Sequence, residues 1–252
     1  MPRLQARRLQ RFAPSPRSVM VGLALVAIAV GGYAALRESS AFAIRRVEVR
    51  GAPPAVRAQV RKALASLRGR NLLALDGSFL LRRVEALPTV ETVGYDRAFP
   101  HTLRITVVPE RPVAVLHRGA ETWLLSGRGR VIARVPARTN GALARIWIPT
   151  RAPVQLGAIV PAGEGLVAAR ALALATRFPA HIALAAIVHG RLTFRLRSGL
   201  ELRLGEPTDI RLKLAIARRA LRRLPAGTAY LDVSLPTRPV AGPANPQVSS
   251  GG

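Results

Sequence analysis

The chain has no cysteine. Disulfide frameworks, thiolate nucleophiles and cysteine-ligated metals are thereby excluded, while cytosolic and exported settings both stay open. Aromatic residues are only 4% of the chain, and no aromatic-rich surface stands out for stacking bases. Acids are also scarce, 13 against 39 bases for a formal charge of +26, and only Lys62 and Lys213 among the bases are lysine. A charge of that size suits nucleic acid. The arginines, however, are spread along the chain and alternate with aliphatics, as on solvated faces of strands and helices, and no zinc-ligand spacing accompanies them. We read the arginine excess as a compositional habit, compatible with a weak attraction to anionic lipid, and expect no nucleic acid partner.

Converging polar groups are missing as well. His101, His117, His181 and His189 stand far apart, and Asp76, Asp96, Asp209 and Asp232 are isolated. No G-x-S-x-G elbow, S-x-x-K or Walker loop is present. Gly127-Arg128-Gly129 lacks a third glycine and a following helix, so it reads as a hairpin turn. The expectation is a protein that is not an enzyme, with no catalytic residue, metal, cofactor or small-molecule substrate.

What is present begins with Val19 to Leu36, an uncharged apolar run of the length a bilayer-spanning helix needs. Arg3, Arg7, Arg8, Arg11 and Arg17 precede it without an acid, which predicts a cytoplasmic N-terminus by the positive-inside rule. Ala41-Phe42-Ala43 offers a rival reading as a signal-peptide cleavage site, but Arg37 and Glu38 separate it from the apolar run. An uncleaved anchor is favoured, and under either reading the rest of the chain lies outside the cytoplasm.

Alternating residues over Ile44 to Arg50 predict a half-buried strand ended by Gly51. Pro53-Pro54 opens a helix. Its stripe is Val56, Val60, Ala63, Leu64 and Leu67, and it stops at Gly69-Arg70. Asp76 can cap a second helix carrying Leu80, Val84 and Leu87, closed by Pro88. Val93 and Tyr95 suggest a second strand, and Leu103, Ile105 and Val107 a third. The order is β-α-α-β-β, with both helices packed on one face of a three-stranded sheet.

This order resembles a POTRA domain. The phrases VEVRG (Val47 to Gly51), NLLALD (Asn71 to Asp76), LPTVETV (Leu87 to Val93), RAFPHTLRITVVPERPVA (Arg97 to Ala114) and YLDVSLPTRPV (Tyr230 to Val240) resemble the FtsQ/DivIB cell-division family in the family's own order. With the apolar run, the similarity covers roughly residues 19 to 240.

Beyond Glu110-Arg111-Pro112 the chain turns to short strands, Val113 to Leu116, Thr122 to Leu125 and Val131 to Arg134. Over Leu192 to Leu204, a three-residue loop Arg197-Ser198-Gly199 pairs Leu196 with Leu200, Phe194 with Leu202 and Arg195 with Glu201, with glycine where φ must be positive. Gly163 to Phe178 and Asp209 to Leu224 read as helices, and Tyr230 to Leu235 as a last strand. The expected fold class is α+β. A basic cytoplasmic tail over 1–18 and a transmembrane helix over 19–36 lead into a POTRA domain over 42–110. A mostly antiparallel β domain with flanking helices over 111–235 and a disordered tail over 236–252 follow.

The resemblance implies a non-enzymatic division scaffold of the bacterial inner membrane, single-pass and located at the septum. Its implied partners are single-pass division proteins of the FtsB/FtsL type, bound by strand addition at the last strand. By similarity the contact residues are Tyr230, Leu231, Asp232, Val233 and Ser234, with Lys213 on the preceding helix. The bland reading makes Tyr230 core, Asp232 the cap of a turn and Lys213 part of a solvated helix face. Ser234 departs from the family, which often has a basic residue there. The resemblance also makes the first strand, Ile44 to Arg50, a second docking edge. The alternative is a POTRA component of outer-membrane assembly or secretion, which predicts repeated POTRA units or a C-terminal barrel; neither pattern appears in this sequence.

Overall fold

In the computed structural model, residues 16–137 and 141–243 are described. The expected basic tail lies outside this range except for its last residues, where the first helix has already begun. Helix α1 runs Pro16–Glu38, beyond the predicted ends, and buries none of its side chains. It is long and apolar enough to cross a membrane.

The next unit has the predicted order. Strand β1 is Arg46–Arg50, α2 is Pro54–Ala63, α3 is Gly77–Glu85, β2 is Val90–Ala98 and β3 is Thr102–Pro109. Pro53 and Pro54 start α2 where a missing N–H costs nothing, and the Asp76 carboxylate accepts from the amides of Ser78 and Phe79 to cap α3. β3 is the middle strand, parallel to β1 and antiparallel to β2. Val60, Leu64, Leu80 and Val84 from the helices close over Leu103, Ile105 and Val107 of β3 as one core.

The second unit is a nine-stranded mixed sheet. Its strands are β4 (Pro112–Arg118), β5 (Glu121–Ser126), β6 (Val131–Arg134), β7 (Ala144–Trp147), β8 (Ile182–Val188), β9 (Arg191–Leu196), β10 (Glu201–Gly205), β11 (Tyr230–Asp232) and β12 (Val240–Gly242). Across the sheet the order is β12-β11-β10-β9-β8-β7-β4-β5-β6. Helices α4 (Glu164–Leu174) and α5 (Ile210–Leu221) cover one face, α4 over β4, β7 and β8 and α5 over β10. Between them lies the larger core, with Phe194, Leu202, Leu125 and Ile146 among its fully enclosed side chains.

The β9–β10 hairpin has the predicted register: Arg195 faces Glu201, Phe194 faces Leu202, and Gly199 has φ +90°. Both helices end earlier than their apolar patterns. Pro179 and Pro225 disfavour helical geometry in the residues just before them, and each chain leaves its helix a few residues sooner. Strands β7 and β8 carry no clear sequence signal; β8, IALAAIV, is a continuous apolar run of the kind central strands show. The expectation of a disordered tail from Pro236 is corrected at its start. Val240–Gly242 pairs antiparallel with β11, burying backbone groups that a disordered segment would leave in water, while residues 244–252 lie outside the described range.

The two units meet through arginines. Arg130 donates to the carbonyl of Glu85, the last residue of α3, to that of Leu87 just past it, and to that of Val90. The carbonyls at a helix C-terminus have no helical partner, and a cation suits the negative end of the dipole. Arg128 pairs with Glu110, whose side chain is only 2% exposed.

Candidate partner-binding edge

Strand β11 sits between β10, parallel to it, and β12, antiparallel. Side chains alternate across a strand, so Leu231 and Val233 point into the core while Tyr230 and Asp232 share the opposite face. Five of the six residues singled out by resemblance therefore gather at one corner of the sheet, but their roles differ. Leu231 and Val233 are fully buried and are core.

Tyr230 is half-buried and packs on its own chain. A Cβ placed on Gly242 would come within 2.8 Å of the Tyr230 hydroxyl oxygen, closer than real contacts allow, so the ring lies against the glycine backbone of β12. The Arg203 guanidinium stands 4.5 Å from the ring centroid. Arg203 Nε donates to Glu201 at 2.9 Å. That bond, with Asp232 and Tyr230 adding less, raises the Arg203 pKa against the opposing effect of burial. Asp232 accepts from the Ser234 amide at 2.8 Å and from its hydroxyl, an Asx-type turn that ends the strand. The turn fits because Gly205, at φ +65°, leaves room for Ser234 where a Cβ would stand 2.5 Å away.

Lys213 corrects the solvated-face reading. It is 3% exposed, and its Nζ donates to the Glu206 carbonyl at 2.7 Å, tying α5 to the loop after β10.

Strand β11 is not the sheet edge; β12 is. Val240 is 49% exposed, and among the described residues one side of β12 has no neighbouring strand in the sheet. Beside it runs a groove of about 470 Å³ between α5 and β12, with an apolar floor of Ile216, Leu224, Pro239 and Ala241 and a rim of Arg219 and Arg223. Sequence reading passed over β12 because three residues between Pro239 and Pro243 give no periodicity. The groove had a legible signal: Ile216 and Ala220 stand four residues apart on a second face of α5, and Leu224 continues the spacing just past its end. In the first unit β1 is likewise an edge strand, opening on a groove of about 860 Å³ lined by six cations, Arg45, Arg46, Arg50, Arg61, Lys62 and Arg68. Among the described residues, no three histidine or acidic side chains gather as metal ligands.

The three-stranded unit is the POTRA class of domain, and it follows one apolar helix of membrane-spanning length. The description "POTRA domain, FtsQ-type" matches residues 42–110. Among proteins named cell division protein FtsQ, the one of Streptomyces venezuelae is 27% identical over 48% of this chain and 45% of its own length. That of Myxococcus fulvus is 34% identical over 48% of this chain and 44% of its own. That of Streptomyces collinus is 25% identical over 89% of this chain and 88% of its own. The matched part is thus under half the length of the first two relatives and most of the third. Residues 42–110 carry the FtsQ-type POTRA domain, and the chain is similar over most of its length to a protein named cell division protein FtsQ.

Proposed function

We propose that the chain is a membrane-anchored, non-enzymatic cell-division scaffold that captures an extended segment of another division protein by strand addition at β12. The proteins named FtsQ support the division role. The observation that carries the mode of binding is the edge at Val240–Gly242, unpaired among the described residues and beside the groove under α5. An edge strand offers N–H and C=O groups in register for a partner, and side chains on alternate positions give selectivity. The groove asks for an apolar side chain, and Arg219 and Arg223 favour an acidic neighbour to it. The single-pass FtsB/FtsL-type proteins implied by the resemblance are the partners to test. In this reading Tyr230, Asp232 and Ser234 set the position of β12, and Lys213 holds the loop behind it.

Successive amides of a strand point to opposite sides. Val240→Pro and Ala241→Pro, made separately, therefore remove one N–H facing β11 and one facing outward. Pull-down of the full chain against the candidate partner should be lost in one variant whose melting temperature is unchanged. Full binding by both variants would overturn the proposal and move the interface to β1 or to α1.

A further inference from the structure

Between α1 and the first unit there is no slack. The Asn71 amide donates to the carbonyls of Leu36, at 2.8 Å, and Ser39, at 2.7 Å, while its oxygen accepts from the Leu73 amide. The Ser39 hydroxyl also donates to Leu36. Just past the helix, residues 42–44 pair with the segment 69–72: Leu72 N–H donates to Phe42, Ile44 N–H to Arg70, and Gly69 N–H to Ile44. The amide of Arg45 donates in turn to His101. The foot of α1, the turn at 68–71 and the turn at 99–101 are therefore one hydrogen-bonded body.

That body presents a particular chemistry. Phe42 and Phe99 meet edge to face at 5.5 Å, and Phe99 is 52% exposed. Arg37, Arg45, Arg68 and Arg70 are all exposed, and none makes a side-chain hydrogen bond or ion pair among the described residues. Among the described residues Glu38 is the acid beside Arg37 in sequence, and Glu48, in the groove with Arg45 and Arg68, already pairs with Arg50 and Arg104. An apolar helix of spanning length ends in headgroups, so whatever is bonded to its last turn stands in or beside the headgroup layer. Aromatic side chains with arginines at that depth are the makings of an interfacial contact.

We infer that this surface docks on the anionic phospholipid headgroups of the leaflet from which α1 emerges, setting how the POTRA unit stands on the membrane. The phenylalanines enter the headgroup boundary and Arg45, Arg68 and Arg70 pair with lipid phosphates. The inference rests on α1 being a membrane anchor and is independent of the strand-addition reading.

The absence of native cysteine allows a clean test. The full chain carrying Ser66→Cys, two residues from Arg68, is spin-labelled and placed in nanodiscs of phosphatidylcholine alone or with phosphatidylglycerol added. Anionic lipid should raise the label's collisions with oxygen and lower those with an aqueous nickel chelate, and salt should weaken both changes. Each cation removed in the series Arg45→Gln, Arg68→Gln, Arg70→Gln should lower the docked-to-undocked ratio about fivefold, with the circular dichroism melt unchanged. A label indifferent to lipid charge, or a triple variant with the full response, would overturn the inference. So would a label that answers added polyglutamate but not phosphatidylglycerol, since the surface would then be a peptide site. A chain that does not enter the discs removes the anchor reading and this inference together, leaving the β12 proposal to its own test.

Discussion

Replacing Arg128 with glutamine should loosen the joint between the two units by an amount that the geometry limits. The Glu110 carboxylate is enclosed and takes Arg128 Nη2 as its partner. Arg128 also reaches the Glu91 carbonyl at 3.4 Å and the Glu91 carboxylate at 3.8 Å. Removing one partner of a fully buried pair costs about 3–5 kcal/mol, because the remaining charge is left uncompensated. Here Arg128 is 47% exposed. Water reaches that side of the pair, and the loss falls toward the value of a charged hydrogen bond, about 1.5–3 kcal/mol. We expect about 2 kcal/mol for Arg128→Gln, a fall of roughly 4–8 °C in melting temperature for a chain of this size. Thermal unfolding of the full chain in detergent, with Glu110→Gln and the double variant completing a cycle, reads the coupling, expected at about 1–2 kcal/mol. Cleavage between 109 and 112 by a dilute protease should quicken in the single variant. A cost below about 0.5 kcal/mol, the range of ordinary surface changes, or strictly additive single substitutions would refute the reasoning.

Gly242→Val should displace the Tyr230 ring at a cost of about 1–2 kcal/mol; hydrogen exchange of residues 240–242 should accelerate and be partly restored by adding Tyr230→Ala. Lys213→Met keeps the volume but leaves the Glu206 carbonyl without its donor, costing about 1–3 kcal/mol in denaturant unfolding. Burial, and then the Arg145 charge, lower the His117 pKa below its ordinary 6.5 where the ring stacks on Trp147. The folded state thus binds fewer protons than the unfolded one below that pH. His117 is neutral at no cost above about 6.5, and stability falls as the pH drops through 6.5 toward the depressed folded value. His117→Gln should flatten that part of a melting-temperature profile, and an unchanged acid slope would count against the assignment.

The first unit was legible because its signals are local. Proline at a helix start, Asp76 at a cap and apolar residues spaced by three or four each act within one turn of chain. The β9–β10 register was legible for a similar reason, since only one loop length puts Phe194 and Leu202 on the same side. Features that depend on distant residues were not. Lys213 looks solvated on a helical wheel, and its burial follows from the path of a loop seven residues earlier. Tyr230 reads equally as a partner anchor and as core, and its packing against the bare backbone of Gly242 is a contact that no sequence spacing shows. The strand at 240–242 is too short to show a pattern and exists because β11 offers it a ladder.

The order of the large sheet has a spatial consequence. Its strands run from β6, beside the arginine joint, to β12 at the far end, with eight spacings between them. At about 4.8 Å each, the sheet is a ruler of roughly 38 Å. If β12 captures a partner strand as proposed, that partner is held at a set distance from the joint, and the length of chain it needs to get there becomes a selection rule that no side chain has to enforce.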